Sequence, residues 1–173
     1  MTEISSNYSE KDGTYEVVLE MPLFGGSNSL ADAAFLPFKD EPKTDFPPPA
    51  NASVTTEPSV VGQNYTGLII DCRGKNINCV MSPVIKNEGG TPIYGHKNLD
   101  IDKVIANGMA AYASDASDQI SRQRAGSNPL IVKAVRLDDG NATPVVSAAD
   151  ADKILAANGH DRFLDNCAVV FIK

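Results

Sequence analysis

Apolar positions follow two rhythms, one before and one after a proline-dense stretch. Over 14–24 they alternate: Tyr15, Val17, Leu19, Met21 and Leu23 fall on one side, Thr14, Glu16 and Glu20 on the other. Period two marks a half-buried antiparallel strand. Lys11-Asp12-Gly13 supplies a turn before it and Gly25-Gly26 ends it, so residues 1–26 predict a β-hairpin. A lone hairpin is marginal in water and needs a third strand or a helix on its apolar face. It is therefore expected to dock on the rest of the protein or on another copy, or to be the tail of an incomplete module.

Past residue 64 the rhythm changes. Residues 66–71 form a short continuous apolar run, and 79–86 read as the next strand. Ile101, Val104, Ile105, Gly108, Met109 and Tyr112 recur at helical spacing on one continuous face. Asp115 can cap a second short helix that stops near Gly126. Residues 129–137 and 143–147 read as strands, and 168–172 as a buried closing strand. Between the last two, Ser147 caps a helix through Ala157, with Asp150 as its capping partner and Gly159 at its end.

The order of these signals repeats. Asn87-Glu88-Gly89-Gly90-Thr91-Pro92-Ile93 lines up with residues 138–145, and 100–108 line up with 150–159, each with one extra residue in the second copy. Both copies read as an acidic glycine turn, a Thr-Pro strand, and a helix opened by two aspartates and closed by Asn-Gly. The predicted fold is α/β or α+β. A mixed sheet of five to six strands carries helices packed on it, built from two similar hairpin-plus-helix units.

Charge and proline divide the chain at the same place. Residues 1–63 carry three cations (Lys11, Lys39, Lys43) and ten acids, whereas residues 64–173 carry twelve of each, so the whole net charge of −7 lies in the first part. Six of the eleven prolines lie within 37–58. Residues 27–63 accordingly read as an acidic Pro-rich linker, extended and polyproline-like over 37–62, leaving 64–173 as the globular α/β domain. The acidic balance argues against nucleic acid as a partner, because phosphate binding needs clustered Lys and Arg. No apolar run approaches the ~20 residues of a bilayer span, so no transmembrane segment is expected. Nor does a basic start precede an apolar stretch, so no signal peptide is visible.

The chemical inventory is thin. Asp71 and Cys72 at a strand end, with His96 or His160 as base, are the one set from which a hydrolase or transferase could be built. Asp100, Asp102, Asp150 and Asp152 form two Asp-x-Asp pairs, but residues two apart on a helix do not face each other, and helix-start acids account for them. No Cys/His set has zinc spacing, and no cofactor is expected. Arg122, Arg124, Lys133 and Arg136 are the one local basic excess, able to receive an anion or a partner's carboxylate. If 66–71 and 79–86 pair as a hairpin, Cys72 and Cys79 flank its loop and could form a disulfide. The alternative is that both, with Cys167, are small apolar fillers.

Asp12-Gly-Thr-Tyr-Glu-Val-Val-Leu-Glu-Met-Pro-Leu-Phe-Gly25 resembles the closing strand of the LPP20-type module of bacterial envelope lipoproteins. Tyr65-Thr-Gly-Leu-Ile-Ile-Asp-Cys-Arg-Gly74, Met81-Ser-Pro-Val-Ile85, Ile93-Tyr-Gly95, Arg124-Ala-Gly-Ser-Asn-Pro-Leu130 and the 147–172 ending resemble the C-terminal region that accompanies it in exported proteins. The resemblance covers about four fifths of the chain and transfers no catalytic residue. It implies export to the bacterial cell envelope, periplasm or outer membrane, with the start of the first module lying outside this sequence. The expected role is non-enzymatic: binding or scaffolding with an envelope protein, a peptidoglycan-associated assembly or another copy of itself.

Overall fold

The computed structural model describes residues 2–50 and 63–173. In chain order the elements are β1 (Thr2–Ser9), β2 (Thr14–Glu20), α1 (Leu30–Phe35), β3 (Gly67–Asp71), β4 (Ile85–Asn87), β5 (Pro92–Tyr94) and α2 (Ile101–Asn107). They continue with β6 (Ala111–Ala113), α3 (Gln119–Ala125), β7 (Pro129–Lys133), β8 (Arg136–Asp138), β9 (Thr143–Val146), α4 (Ala148–Asp161) and β10 (Val169–Ile172). The class is mixed α/β, as expected. The strands of the globular part are divided over two sheets rather than gathered in one: β6-β10-β3-β7 and β5-β4-β9-β8.

The first sheet is wholly parallel. Its two central strands, β3 and β10, are covered on both faces, which is why they read as unbroken apolar runs. Leu68, Ile70, Leu130, Val132, Val169 and Phe171 enter the main core, while Ile69, Val170, Ile172 and Ala113 form a smaller cluster with Ala125 of α3. Gly67 is required here: a Cβ on it would stand 2.5 Å from the Ala125 Cα. The second sheet is mixed, with β4 parallel to β9 in its middle and β5 and β8 antiparallel on its edges. Its Ile85, Ile93, Tyr94 and Val146 belong to the same core as Val104 and Ile105 of α2 and Ile154 and Leu155 of α4. The chain crosses between the sheets at Ala134 and Val135, whose amides donate to the Asp71 and Val145 carbonyls.

Each predicted unit gives one hairpin to the mixed sheet, then a helix, then a strand of the parallel sheet. The acids that suggested the repeat do different work in its two copies. Asp100 is the N-cap of α2, whereas the cap of α4 is Ser147, with Asp150 inside the first turn and Asp152 buried. Several boundaries also move. The α2 helix stops at Gly108, with φ 75°, so Met109 and Tyr112 continue the helical spacing without being helical. Asp118, rather than Asp115, caps α3. Residues 79–84 are loop, and 129–137 break into β7 and β8. Gly159 lies within α4, which ends at left-handed Arg162.

Upstream, the hairpin stays open and the described part of the segment after it packs. The hairpin does not dock on the globular part: Tyr15, Val17 and Leu19 are 65%, 43% and 53% exposed, and both strands are open along nearly their whole length. Residues 27–50 are not a free linker. Ala31 and Phe35 are buried in the main core, Phe24, Phe38 and Phe46 pack against it, and Ser29 caps α1 through the Asp32 amide. Widely spaced aromatic anchors, rather than a periodic face, hold the segment down, and such spacing leaves no rhythm to read. The remainder of the expected linker, 51–62, lies outside the described residues.

Candidate functional site

All parallel strands end on one side of their sheet, the side where open α/β sheets tend to hold ligands. Asp71 and Cys72 lie there, at the end of β3. Arg73 turns back on Asp71, donating from Nε to Oδ1 at 3.0 Å and from Nη2 to Oδ2 at 2.8 Å, while its backbone N–H reaches Oδ1 at 3.0 Å. These bonds to the charged form hold the Asp71 carboxyl down to about 2, against the smaller opposing effect of burial. Asp71 is thus a fixed anion and a poor proton acceptor near neutral pH.

Cys72 is fully buried, and burial, helped by the adjacent Asp71 charge, pushes its thiol up to about 12. A thiol held protonated and out of solvent is a weak nucleophile. The imidazoles are engaged elsewhere. His160 meets Asp161 Oδ1 at 2.5 Å on the open end of α4, and His96 lies against the Phe38 ring with centroids 5.3 Å apart. None of the described hydrogen bonds or ion pairs joins Cys72 to either histidine. The acid and thiol lie at the end of β3, where the sequence placed them.

The hairpin that would have faced Cys72 toward Cys79 is absent. After β3 the chain leaves the parallel sheet, where β3 is flanked by β10 and β7. Cys72 is buried, Cys79 is exposed in a loop, and these two and Cys167 are free thiols.

The basic quartet disperses. Arg124 is spent on the end of α2, its guanidinium donating to the carbonyls of Asn107, Gly108 and Cys167. Arg136 pairs with Asp138 two residues on, at 3.0 Å. Lys133 ends β7 close enough to lower Asp71 slightly, and Arg122 lies on α3. Arg124 and Arg136 are thus engaged within the chain. Among the described residues no group of three or more His, Cys, Asp and Glu side chains is placed to hold a metal ion. Nor is any helix among them long and apolar enough to cross a membrane.

What remains open is the hairpin. Tyr8 stands opposite Tyr15 and Ser6 opposite Val17, so Tyr8, Tyr15, Val17 and Leu19 share a face. Among the described residues each strand pairs only with the other, so that neither outer edge meets a described strand. Exposed edges with apolar side chains recruit further strands.

Residues 67–173 match a family described as Treponema pallidum Tp0624, second domain. The chain belongs to the Tp0624 second-domain family. The match begins at the first residue of β3 and takes in both four-stranded sheets, all but α1 of the helices, and none of the hairpin. Every element of the Tp0624-type domain that surrounds Asp71 and Cys72 is therefore within the family region. No curated protein matches the chain.

Proposed function

We propose that the chain is a non-enzymatic binding or scaffolding component of the bacterial cell envelope, periplasmic or attached to the outer membrane, and that its N-terminal hairpin is the association arm. The observation that carries this reading is the exposed apolar face of the hairpin, whose two outer edges meet no strand among the described residues, set beside a domain whose candidate nucleophile is buried. The envelope location draws on the likeness of residues 12–25 to the closing strand of LPP20-type modules. The partner is an envelope protein or another copy, and nucleic acid is disfavoured by the acidic N-terminal part.

The test is association of the full chain with Val17 and Leu19 both changed to Ser. Sedimentation and capture of envelope proteins are expected to show loss of association with little change in thermal melting, since both side chains are already exposed. Association unchanged by the double substitution would overturn the reading.

A further inference from the structure

Residues 22–50 contribute no strand to either sheet of the domain, yet they are held to it at intervals along their length. The domain-side contacts fall on one face, formed by α2, the turn after β5, and α4. Phe24 occupies a slot at the end of α2 that exists because residue 108 is glycine: a Cβ there would lie 2.8 Å from Phe24 Cζ. The neighbouring Gly25 N–H donates to the Ile105 carbonyl at 3.2 Å. Farther along, Phe46 lies parallel to Tyr94 with centroids 6.5 Å apart. Lys39 reaches Asp102 at 2.7 Å and Lys43 reaches Asp165 at 3.2 Å. The Thr44 N–H donates to the Lys97 carbonyl, and the Ala50 N–H donates to Asp152 Oδ1 at 2.6 Å. Pro47, Pro48 and Pro49 pass over Leu155 and Arg162, leaving a cavity of about 280 Å³ between prolines and helix.

These are the marks of peptide recognition rather than of shared secondary structure. Aromatic anchors sit in separate sites, isolated main-chain bonds fix the path, and prolines lower the entropy lost on ordering it. The charge agrees. The strap is rich in acids, but its two lysines are the side chains that meet the aspartates of this face. The family match begins at Gly67 and does not include the strap.

We infer that the α2–β5–α4 face of the domain is a binding surface for a segment bearing Phe anchors, lysines and prolines, helical over Leu30–Phe35 and irregular beyond Phe38, occupied in this chain by its own residues 22–50. The same segment supplied in trans binds the face once the resident one is displaced. The inference is independent of the hairpin's role.

The probe is a fluorescently labelled synthetic peptide of residues 22–50. The receptors are the full chain and a full-chain variant carrying Phe24→Ala, Phe35→Ala and Phe46→Ala. A tethered segment competes at an effective concentration of roughly 1 mM, so a peptide of about 10 μM intrinsic affinity binds the native chain about 100-fold more weakly than the variant. Changing Lys39 and Lys43 of the peptide to Glu is expected to weaken its binding to the variant. A folded variant that fails to bind the peptide overturns the inference. If the triple variant does not fold, hydrogen exchange on the native chain decides. Amides of Gly25, Thr44 and Ala50 are expected to exchange through an opening that leaves β3 and β10 protected. Equal protection of strap and central strands would mean that the strap is inseparable from the domain core, and would overturn the inference equally.

Discussion

Cys72 and the Asp71 carboxylate set what the carboxyl end of the parallel sheet can do, and the three thiols differ in exposure. Burial raises both Cys72 and Cys167, and only Cys79 is open to solvent. Alkylation of the native protein, followed by mass spectrometry, should therefore modify Cys79 first and the other two only on unfolding. Rapid native labelling of Cys72 would restore it as a candidate nucleophile. Asp71 has the opposite perturbation, a folded-state value depressed to about 2 from an ordinary 3.8. Its contribution to stability is then complete above the ordinary value and fades as the pH falls through about 2. Removing the guanidinium by Arg73→Ala should move the Asp71 carboxyl back up toward 3.8, visible in a carboxyl-carbon NMR titration. The buried Tyr94 hydroxyl donates to the Met109 carbonyl at 2.6 Å. Tyr94→Phe would leave that carbonyl unpaired, at an expected cost of about 1–2 kcal/mol in urea unfolding.

Between residues and fold stand the elements, and here legibility followed burial. Strands β3 and β10 were readable because a strand covered on both faces is apolar throughout, and the start of α4 because Ser147 and Asp150 cap it locally. The Ser147 Oγ accepts from the Asp150 N–H at 3.0 Å and donates to Asp150 Oδ2 at 2.8 Å. Ser147→Ala should accordingly cost about 1 kcal/mol. By contrast, α2 looked longer than it is: Met109 is buried and Tyr112 half-buried after the helix has ended, so tertiary burial preserved a helical spacing that the backbone had abandoned. The grouping of strands into two sheets was not legible either, since it depends on the crossing at Ala134 and Val135, where no turn residue announces it. Gly67 is a sharper case. In sequence it is merely a glycine at a strand start, but in space it lets α3 rest on β3. Gly67→Ala should destabilise by about 1–3 kcal/mol through overpacking, measured by chemical denaturation.

At the scale of the whole molecule, the sequence divided the chain at the prolines, and in the described part of the stretch before residue 51 Phe24, Phe35, Phe38 and Phe46 pack with the domain core. The proline signal was real but ambiguous: an extended segment is equally suited to spanning open solvent and to lying along a protein face. Charge gives the hairpin a testable character. Residues 1–26 hold five acids (Glu3, Glu10, Asp12, Glu16 and Glu20) and one cation, Lys11, while residues 64–173 are balanced. Two such hairpins approaching each other repel before their apolar faces meet. Raising salt from about 10 mM to about 150 mM shortens the screening length from about 30 Å to about 8 Å. Self-association through the arms should therefore strengthen over that range, read as a rise in weight-average mass by sedimentation. Weakening with salt would show that opposite charges make the contact and would exclude arm-to-arm pairing. The Val17→Ser, Leu19→Ser chain, with the same charge but less apolar surface, should lose the association at both ionic strengths. That pairing of experiments separates the driving force, apolar burial at the exposed strands, from the electrostatic opposition that the acidic hairpin imposes on it.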